Sequence, residues 1–497
     1  MSGSEKIFCC FTLEQKQYLG ELVLSGEDSS LMLHSRHQIP YTSEPHPLFG
    51  ETVNYQKISL FECVGDPSFP EGTHPKFVYK RTCFPHYAAI GSRHIQEHEP
   101  LFGSVSFSTD DLGLIFANRG TFGSAHPTPE DLQNLLDKTF DARVVTVSHN
   151  PLIFYFSGSK DDINVDVSEG KFSTFQGFGT KISDHEGIQC TPESTATFKF
   201  GSIKTLSEVI DELVALLLFL SVVAGRQQSI TKITAEIFDP KLETSSEAHE
   251  KADIYWSLAP TIGKNGASNI RDMPVTPQID SHEFYQIFNC WMQRHKEWLP
   301  SRLRILNSQN VGRHYDENRL VAAANAFDIL PDSTYPETGE LSPSAKEARL
   351  KCKAIMKELD SGPEREQIMN TLAFWGGKNL RLKVLSRSRI VREALGDTLE
   401  DLDAVLIIAV LARNYFVHGS NKFGWENYSD LISFFTDALE FVFVASDLIE
   451  CGWKAANWSD RCRGYSHPLA AFMRSYDSDL AKFRLADAAA KGAQGTS

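Results

Sequence analysis

Hydrophobic and polar positions change rhythm along this chain. Up to about residue 200, short runs of β-branched and aromatic residues alternate with turn formers. The runs are Val105–Phe107, Leu114–Ala117, Arg143–Ser148 and Leu152–Phe156, set among Asp110-Asp111, Asn118-Arg119-Gly120 and His149-Asn150-Pro151. Such runs predict strands, and the scattered Gly and Pro suit a sandwich or barrel. One helix is predicted among them, over Pro129–Lys138, with Thr128 as its N-cap. At about 205 the period lengthens, and Leu206, Val209, Ile210 and Leu213 form one stripe of a helix over Thr205–Ala224. A mixed segment follows, with Ile230–Phe238 in it and a polar loop over Glu243–Pro274 that holds one strand. From about 280 to 455 the chain reads as helical almost throughout. Helices are predicted over Ser281–Trp298, Asp316–Leu330, Ser344–Leu359, Glu364–Phe374, Thr398–His418 and Tyr428–Glu450. Pro331, Pro336 and Pro343 punctuate one connection, and Gly376-Gly377 another. The Ala- and Gly-rich end from Leu485 to Ser497 is expected to fray.

The pattern describes a multidomain α+β chain. A β-rich domain is expected over 1–204, a connecting mixed segment over 205–279, an all-α helical bundle over 280–484 and a flexible tail over 485–497. Length agrees, because 497 residues exceed the ~250–300 that a single core sustains. The most apolar stretch, Leu213–Ala224, is too short to span a bilayer and reads as a buried helix. The opening MSGSEKIFCC has no secretory pattern, so a cytoplasmic location away from membranes is expected. Nine cysteines without a CxxC pair or regular spacing fit reduced thiols.

A formal net charge of −15 disfavours nonspecific binding to nucleic acid by the molecule as a whole. A local basic site survives that argument. Lys378, Arg381, Lys383, Arg387, Arg389 and Arg392 fall within fifteen residues that hold no acid. Such a run is either a solvated helix face or an electrostatic footprint for RNA.

The stretch Thr398–Ser420 carries the strongest chemical candidate. Thr398 can cap a helix there, Glu400 and Asp401 suit its first turn, and Leu402, Val405, Leu406, Ala409 and Val410 form an apolar stripe. Gly419 stands at the expected C-cap. Arg413, Asn414 and His418 therefore lie in the last two turns. Asn414 and His418 are four apart and share a face, so they can hydrogen-bond. An Arg followed by four to six residues and a His occurs six times in the chain. The bare spacing is unselective, and the helix end, the Asn and the Gly set this copy apart.

Arg413-Asn414-Tyr415-Phe416-Val417-His418 resembles the Rx4–6H motif of HEPN ribonucleases, including the polar residue after the Arg. The helical stretch from about 280 to 455 resembles the HEPN domain of ApeA-type anti-phage proteins. Glu317–Pro331 is similar to that family's helix ahead of the core. The first two hundred residues look like the matching N-terminal domain, notably Ala89–Ile95 before the strand at Val105–Phe107. The resemblance implies a metal-independent endoribonuclease without cofactor, active in abortive infection. His418 would be general acid/base, Arg413 would stabilise the phosphate, and Asn414 would orient His418 or hold a phosphate oxygen. Tyr415 and the basic run would contact RNA, with transfer RNA a possible substrate. It further implies a 2′,3′-cyclic phosphate product, a homodimer or higher homo-oligomer, and an N-terminal domain that senses a phage-derived trigger or restrains the nuclease. Two other readings stay open: a non-catalytic HEPN scaffold binding RNA or a partner protein, and a toxin controlled by a separate antitoxin.

Cys83, His86, His94 and His98 lie within sixteen residues and are a candidate zinc set, the alternative being ordinary loop residues. Asp110-Asp111 and Asp161-Asp162 read as solvated turns. Trp375 and Trp425 flank the helices and are either base-stacking platforms or core. No P-loop or dinucleotide fingerprint is present.

Overall fold

A computed structural model describes residues 6–73, 76–116, 120–139, 146–158, 160–183, 187–238, 250–309, 312–335, 341–374, 379–419 and 423–494. The chain divides into two compact units, one of residues 1–209 and 230–259, the other of 210–229 and 260–497.

The first unit begins with β1 (Lys6–Leu13), β2 (Lys16–Val23), β3 (Ser30–Ser35), β4 (His46–Thr52), β5 (Lys57–Gly65), β6 (Phe69–Thr73) and β7 (Lys76–Phe84). All pair antiparallel, and β5-β4-β1-β2-β3-β7 closes into a barrel where Val64 and Gly65 of β5 meet Phe84 and Cys83 of β7. Alternate residues point inward, and Phe11, Leu22, Leu31, Leu33, Ile58 and Cys83 form the core. Gly50 is sterically required: a Cβ there would stand 2.8 Å from the Phe11 ring and from the Cys10 carbonyl oxygen.

β8 (Tyr87–Gly91) extends the sheet from β5. After it come β9 (Phe102–Thr109), α1 (Leu112–Phe116), β10 (Phe122–Ala125), α2 (Pro129–Thr139), β11 (Ile153–Phe156), β12 (Lys160–Val167), β13 (Gly170–Ser183), β14 (Gly187–Lys204), α3 (Leu206–Ala224), β15 (Ile230–Ile237) and β16 (Lys251–Trp256). The sheet runs on from the barrel in the order β8-β16-β15-β9-β14-β13-β12, and β10 pairs with β11 apart from it. Thr128 caps α2, its hydroxyl accepting from the Asp131 N–H.

Two expected strands differ. Leu114–Phe116 belongs to helix α1 instead, because Leu112, Ile115 and Phe116 recur at helical spacing and are all buried; Ala117 lies outside the described residues. Of Arg143–Ser148, residues 143–145 lie outside the described residues and 146–148 form no strand.

The second unit is helical: α4 (Ser281–Gln309), α5 (Glu317–Asp328), α6 (Pro343–Glu358), α7 (Pro363–Phe374), α8 (Leu380–Leu395), α9 (Leu402–His418), α10 (Ile432–Glu450), α11 (Ala455–Arg461) and α12 (Pro468–Gln494). α10 is the hub, packed against α4, α5, α8, α9 and α12. Buried arginines tie three helices to it. Arg302 of α4 grips Asp447 at 2.8 and 3.2 Å. Arg319 of α5 grips Glu440 through two bonds of 2.9 Å. Arg387 of α8 donates to Ser446 at 2.9 Å and to Glu450 at 2.7 Å. Charge-assisted, largely bidentate pairs of this kind fix register as well as contributing energy.

Several boundaries move. α4 passes Trp298 and Pro300 and continues to Gln309, held by buried Arg302, Ile305 and Leu306. α9 starts at Leu402 rather than Thr398, because Asp401 takes a left-handed φ of 56° and Thr398 sits in a preceding turn. The end from Leu485 is helical to Gln494, in keeping with its Ala content. Among the described residues no helix is long and apolar enough to cross a membrane.

Candidate active site

α9 buries Leu402, Val405, Leu406, Ala409, Val410 and Ala412 and ends at Gly419, whose N–H returns to the Tyr415 carbonyl with φ at 65°. This C-terminal stop places Arg413 over α5 and leaves His418 at the helix end. The Arg413 side chain is 15% exposed, whereas His418 is exposed and has no hydrogen-bond partner among the described residues.

Arg413 is held by α5. Nε and Nη2 donate to Asn325 Oδ1 at 2.9 and 2.6 Å. Nη2 also lies 3.3 Å from Asp328 Oδ2, and Nη1 donates to Asn414 Oδ1 at 3.1 Å. A guanidinium has five N–H donors, so one on Nη1 is left without a protein acceptor among the described residues. Asn414 thus accepts from Arg413, and the Asn414–His418 hydrogen bond that the spacing allows is not formed among the described residues. The local geometry explains the exchange: the neighbouring guanidinium is a charged donor and wins the amide oxygen.

Asn325 and Asp328 were not singled out as site residues in the sequence, although both fall in the segment that carried the family resemblance. The signal was there. They are spaced i, i+3 on a helix otherwise rich in Ala, and Asp328 ends α5, where the helix dipole disfavours an acid. Its carboxylate lies between Arg413 and Lys383, whose Nζ stands 4.0 Å from Oδ1.

The basic run folds into α8, capped by the Asn379 side chain, and its cations part company. Lys383 and Arg387 are buried, contrary to the expectation that they face RNA. Lys383 donates to the Asp328 carbonyl, and Arg387 belongs to the ties on α10. Burial of an unpaired cation is prohibitive, so these two are committed to the fold. Arg381, Arg389 and Arg392 remain at the surface, Arg389 facing Glu393 at 3.7 Å and Arg392 facing Asp403 at 2.8 Å. Lys378 and Trp375 lie outside the described residues.

Beyond His418 stands an aromatic group. Tyr415 packs on Phe416 and Phe423, with ring centroids 5.3 and 6.3 Å apart, and Trp425 meets Phe416 at 4.9 Å. Tyr415, Phe416, Phe423 and Trp425 are all half-buried, so parts of their rings face solvent. Cys83, His86, His94 and His98 do not come together. Cys83 sits in the barrel core, and the His94 and His86 rings pack on Phe49 and Tyr87. Among the described residues no three His, Cys, Asp or Glu are gathered as a metal site would need.

A helical unit that carries an Arg-Asn-x3-His set at the end of a central helix is of the HEPN type. The family described as Apea-like HEPN matches residues 321–457, which include Asn325, Asp328, Arg413, Asn414 and His418. The family described as ApeA N-terminal domain 1 matches residues 11–291, more than half of the chain. The chain belongs to the ApeA-type HEPN family of anti-phage defence proteins. No curated protein and no solved structure matches it.

Proposed function

We propose that this protein is a metal-independent endoribonuclease of anti-phage defence, with Arg413, Asn414 and His418 as its active-site residues. The observation that carries the reading is Arg413: a guanidinium fixed by Asn325 and Asn414, near the surface, five residues before an exposed His at the same helix end. The 2′-OH of RNA attacks the adjacent phosphorus, an imidazole takes its proton, and the P–O5′ bond breaks. The products are a 2′,3′-cyclic phosphate and a 5′-hydroxyl. His titrates near neutrality and suits both proton transfers. Arg413 N–H groups oppose the charge that builds on the phosphorane oxygens.

Arg413 and His418 are ~140° apart around one helix. Two copies in a homodimer would bring one chain's His418 towards the other's Arg413 and supply both an acid and a base. Arg381, Arg389 and Tyr415 are the proposed RNA contacts, transfer RNA is a candidate substrate, and the β-rich unit is the proposed sensor of a phage-derived trigger.

A second reading has its own support. The protein acceptors already on Arg413 suit a purely structural tie between α9 and α5. RNA cleavage in EDTA, wild type against His418→Ala, separates the two. Catalysis predicts a loss of roughly 10²-fold or more with an unchanged circular dichroism spectrum. Equal cleavage by both proteins would remove His418 from the mechanism. If neither cleaves, the assay is repeated with lysate from infected cells.

A further inference from the structure

The second unit contains a cavity of about 510 Å³ that the nuclease reading does not use. Its wall is drawn from five stretches: the 264–267 loop, Gln309 with Gly312 and Arg313, Tyr315 with Arg319 at the start of α5, Asp437 of α10, and the 465–471 segment entering α12. The loop is anchored, because the Gly263 N–H donates to the Gln227 carbonyl and Arg226 donates to the Asn265 carbonyl at 3.1 Å. Gly312 closes the corner with φ at 69°, and a Cβ there would lie 3.6 Å from Asn265 and 3.7 Å from Lys264.

The cavity is chemically polarised. At the mouth stand Lys264 and Arg313, both exposed and neither paired with a carboxylate among the described residues. Unpaired cations lining a concavity oppose the trend of a chain with a net charge of −15. On the inner wall lies Asp437, half-buried, with one donor to it among the described residues: the Tyr315 hydroxyl, 2.8 and 3.0 Å from its two oxygens. The nearby Arg319 spends its Nε and Nη2 on Glu440, so that among the described residues Asp437 has no ion-pair partner, though the Arg319 charge partly offsets its desolvation. Desolvation, aided by the charge on Glu440, pushes the Asp437 carboxyl up to about 7. Tyr465, Pro468 and Ala471 add apolar wall. A ligand matched to this cavity is anionic at its outer end, flat and apolar in its middle, and rich in N–H donors at its inner end. The volume lies within the ~300–1,000 Å³ usual for small-ligand sites.

We propose that this cavity binds a nucleotide, with phosphate on Lys264 and Arg313 and the base edge on Asp437. Guanine fits best, because its N1–H and N2–H groups present two adjacent donors to a carboxylate, whereas the corresponding edge of adenine offers one donor and one acceptor. The nucleotide is either a free small molecule or a guanosine of an RNA strand. Binding here does not depend on the cleavage chemistry.

Isothermal titration of the full-length protein with guanosine monophosphate, adenosine monophosphate and inorganic phosphate tests this. The expected result is binding of the guanosine nucleotide, with the adenosine nucleotide weaker by roughly tenfold or more and phosphate alone weaker still. Lys264→Ala with Arg313→Ala should weaken guanosine monophosphate by about tenfold. Both residues are exposed, so the fold is preserved. Asp437→Asn should erase the preference for guanine. Titration in the presence of a guanosine-containing single-stranded RNA identifies the source: competition assigns the cavity to a nucleotide of a strand, and its absence to a free nucleotide. Absence of heat with every nucleotide, or affinity unchanged in the Lys264/Arg313 double variant, would overturn the proposal.

Discussion

At the scale of single residues, Asp328 and His467 are the most informative. Asp328 places a carboxylate against the guanidinium face that a phosphate would use, 3.3 Å from Nη2. Asp328→Asn should therefore tighten RNA binding by about fivefold, a typical magnitude for one partly exposed charge pair. Fluorescence anisotropy in a His418→Ala background, chosen because the proposed mechanism would leave substrate intact there, measures it, and weaker binding would mean that the carboxylate positions Arg413 rather than competing for it. His467 is fully enclosed and neutral. Its Nε2 donates to the Val222 carbonyl at 3.0 Å while Nδ1 accepts from the Leu469 N–H at 3.1 Å. Protonation would turn that acceptor into a second donor facing the Leu469 N–H. Burial lowers its pKa to about 4, so the unfolded chain binds this proton first as pH falls below ~6.5. Stability is then lost between about pH 6.5 and 4, by roughly 3 kcal/mol from this residue. Asp437, with its raised pKa, acts in the opposite sense over the range below about 7. Thermal melts from pH 7 to 4 should show a shallower decline in His467→Gln than in wild type. Of the candidate site, Arg413, Asn414 and His418 stood out because the family motif resembles that stretch. Asn325 was not, since its partner lies 88 residues away.

At the scale of elements, apolar periodicity exposed the helices whose stripes are continuous and hid those built on charge. α9 and α10 are visible from their Leu, Val, Ile and Phe spacing alone. α8 reads as a basic run, yet its buried face includes Lys383 and Arg387 beside Val384 and Val391. No pattern of residue types distinguishes an arginine that ties helices from one that meets solvent; only the carboxylates of a distant helix do. Arg387→Ala should accordingly destabilise the protein by ~1–3 kcal/mol, the usual cost of removing one partner of a buried hydrogen bond, seen as a lower urea midpoint, since Glu450 keeps its pair with Arg294. Arg381→Ala with Arg389→Ala should leave that midpoint in place and flatten the salt dependence of RNA binding. An unchanged salt slope would remove α8 from the RNA path. The barrel was hidden for another reason. The β1–β2 hairpin turns on Glu14 and Gln15 at φ 47° and 65°, positions where Asn or Gly usually announces the turn.

At the scale of the whole molecule, the chain passes between its two units three times, at about 209, 229 and 259. β15 pairs with β9 across more than a hundred residues, Val105 facing Ala235, and α3 interrupts the approach. Local patterning carries no information about that pairing, so 205–279 read as a connector. The second unit likewise depends on α3, whose Phe219 ring packs 5.6, 5.0 and 5.6 Å from Phe284, Phe288 and Trp291. A fragment of residues 280–497 should therefore aggregate, while residues 206–229 linked to 260–497 should run on size exclusion as a discrete soluble species free of aggregate. A soluble, cooperatively melting 280–497 fragment would show that α3 is dispensable. The clamp on Arg413 also has a consequence in time. Asp328 and Asn325 precede Arg413 by 85 and 88 residues, so at 5–20 residues per second they leave the ribosome roughly 4–18 s earlier. The arginine emerges late, into surroundings crowded with ribosomal and transfer RNA, and its acceptors on α5 are already waiting. Translation order thus lets Arg413 meet its protein partners as soon as it emerges.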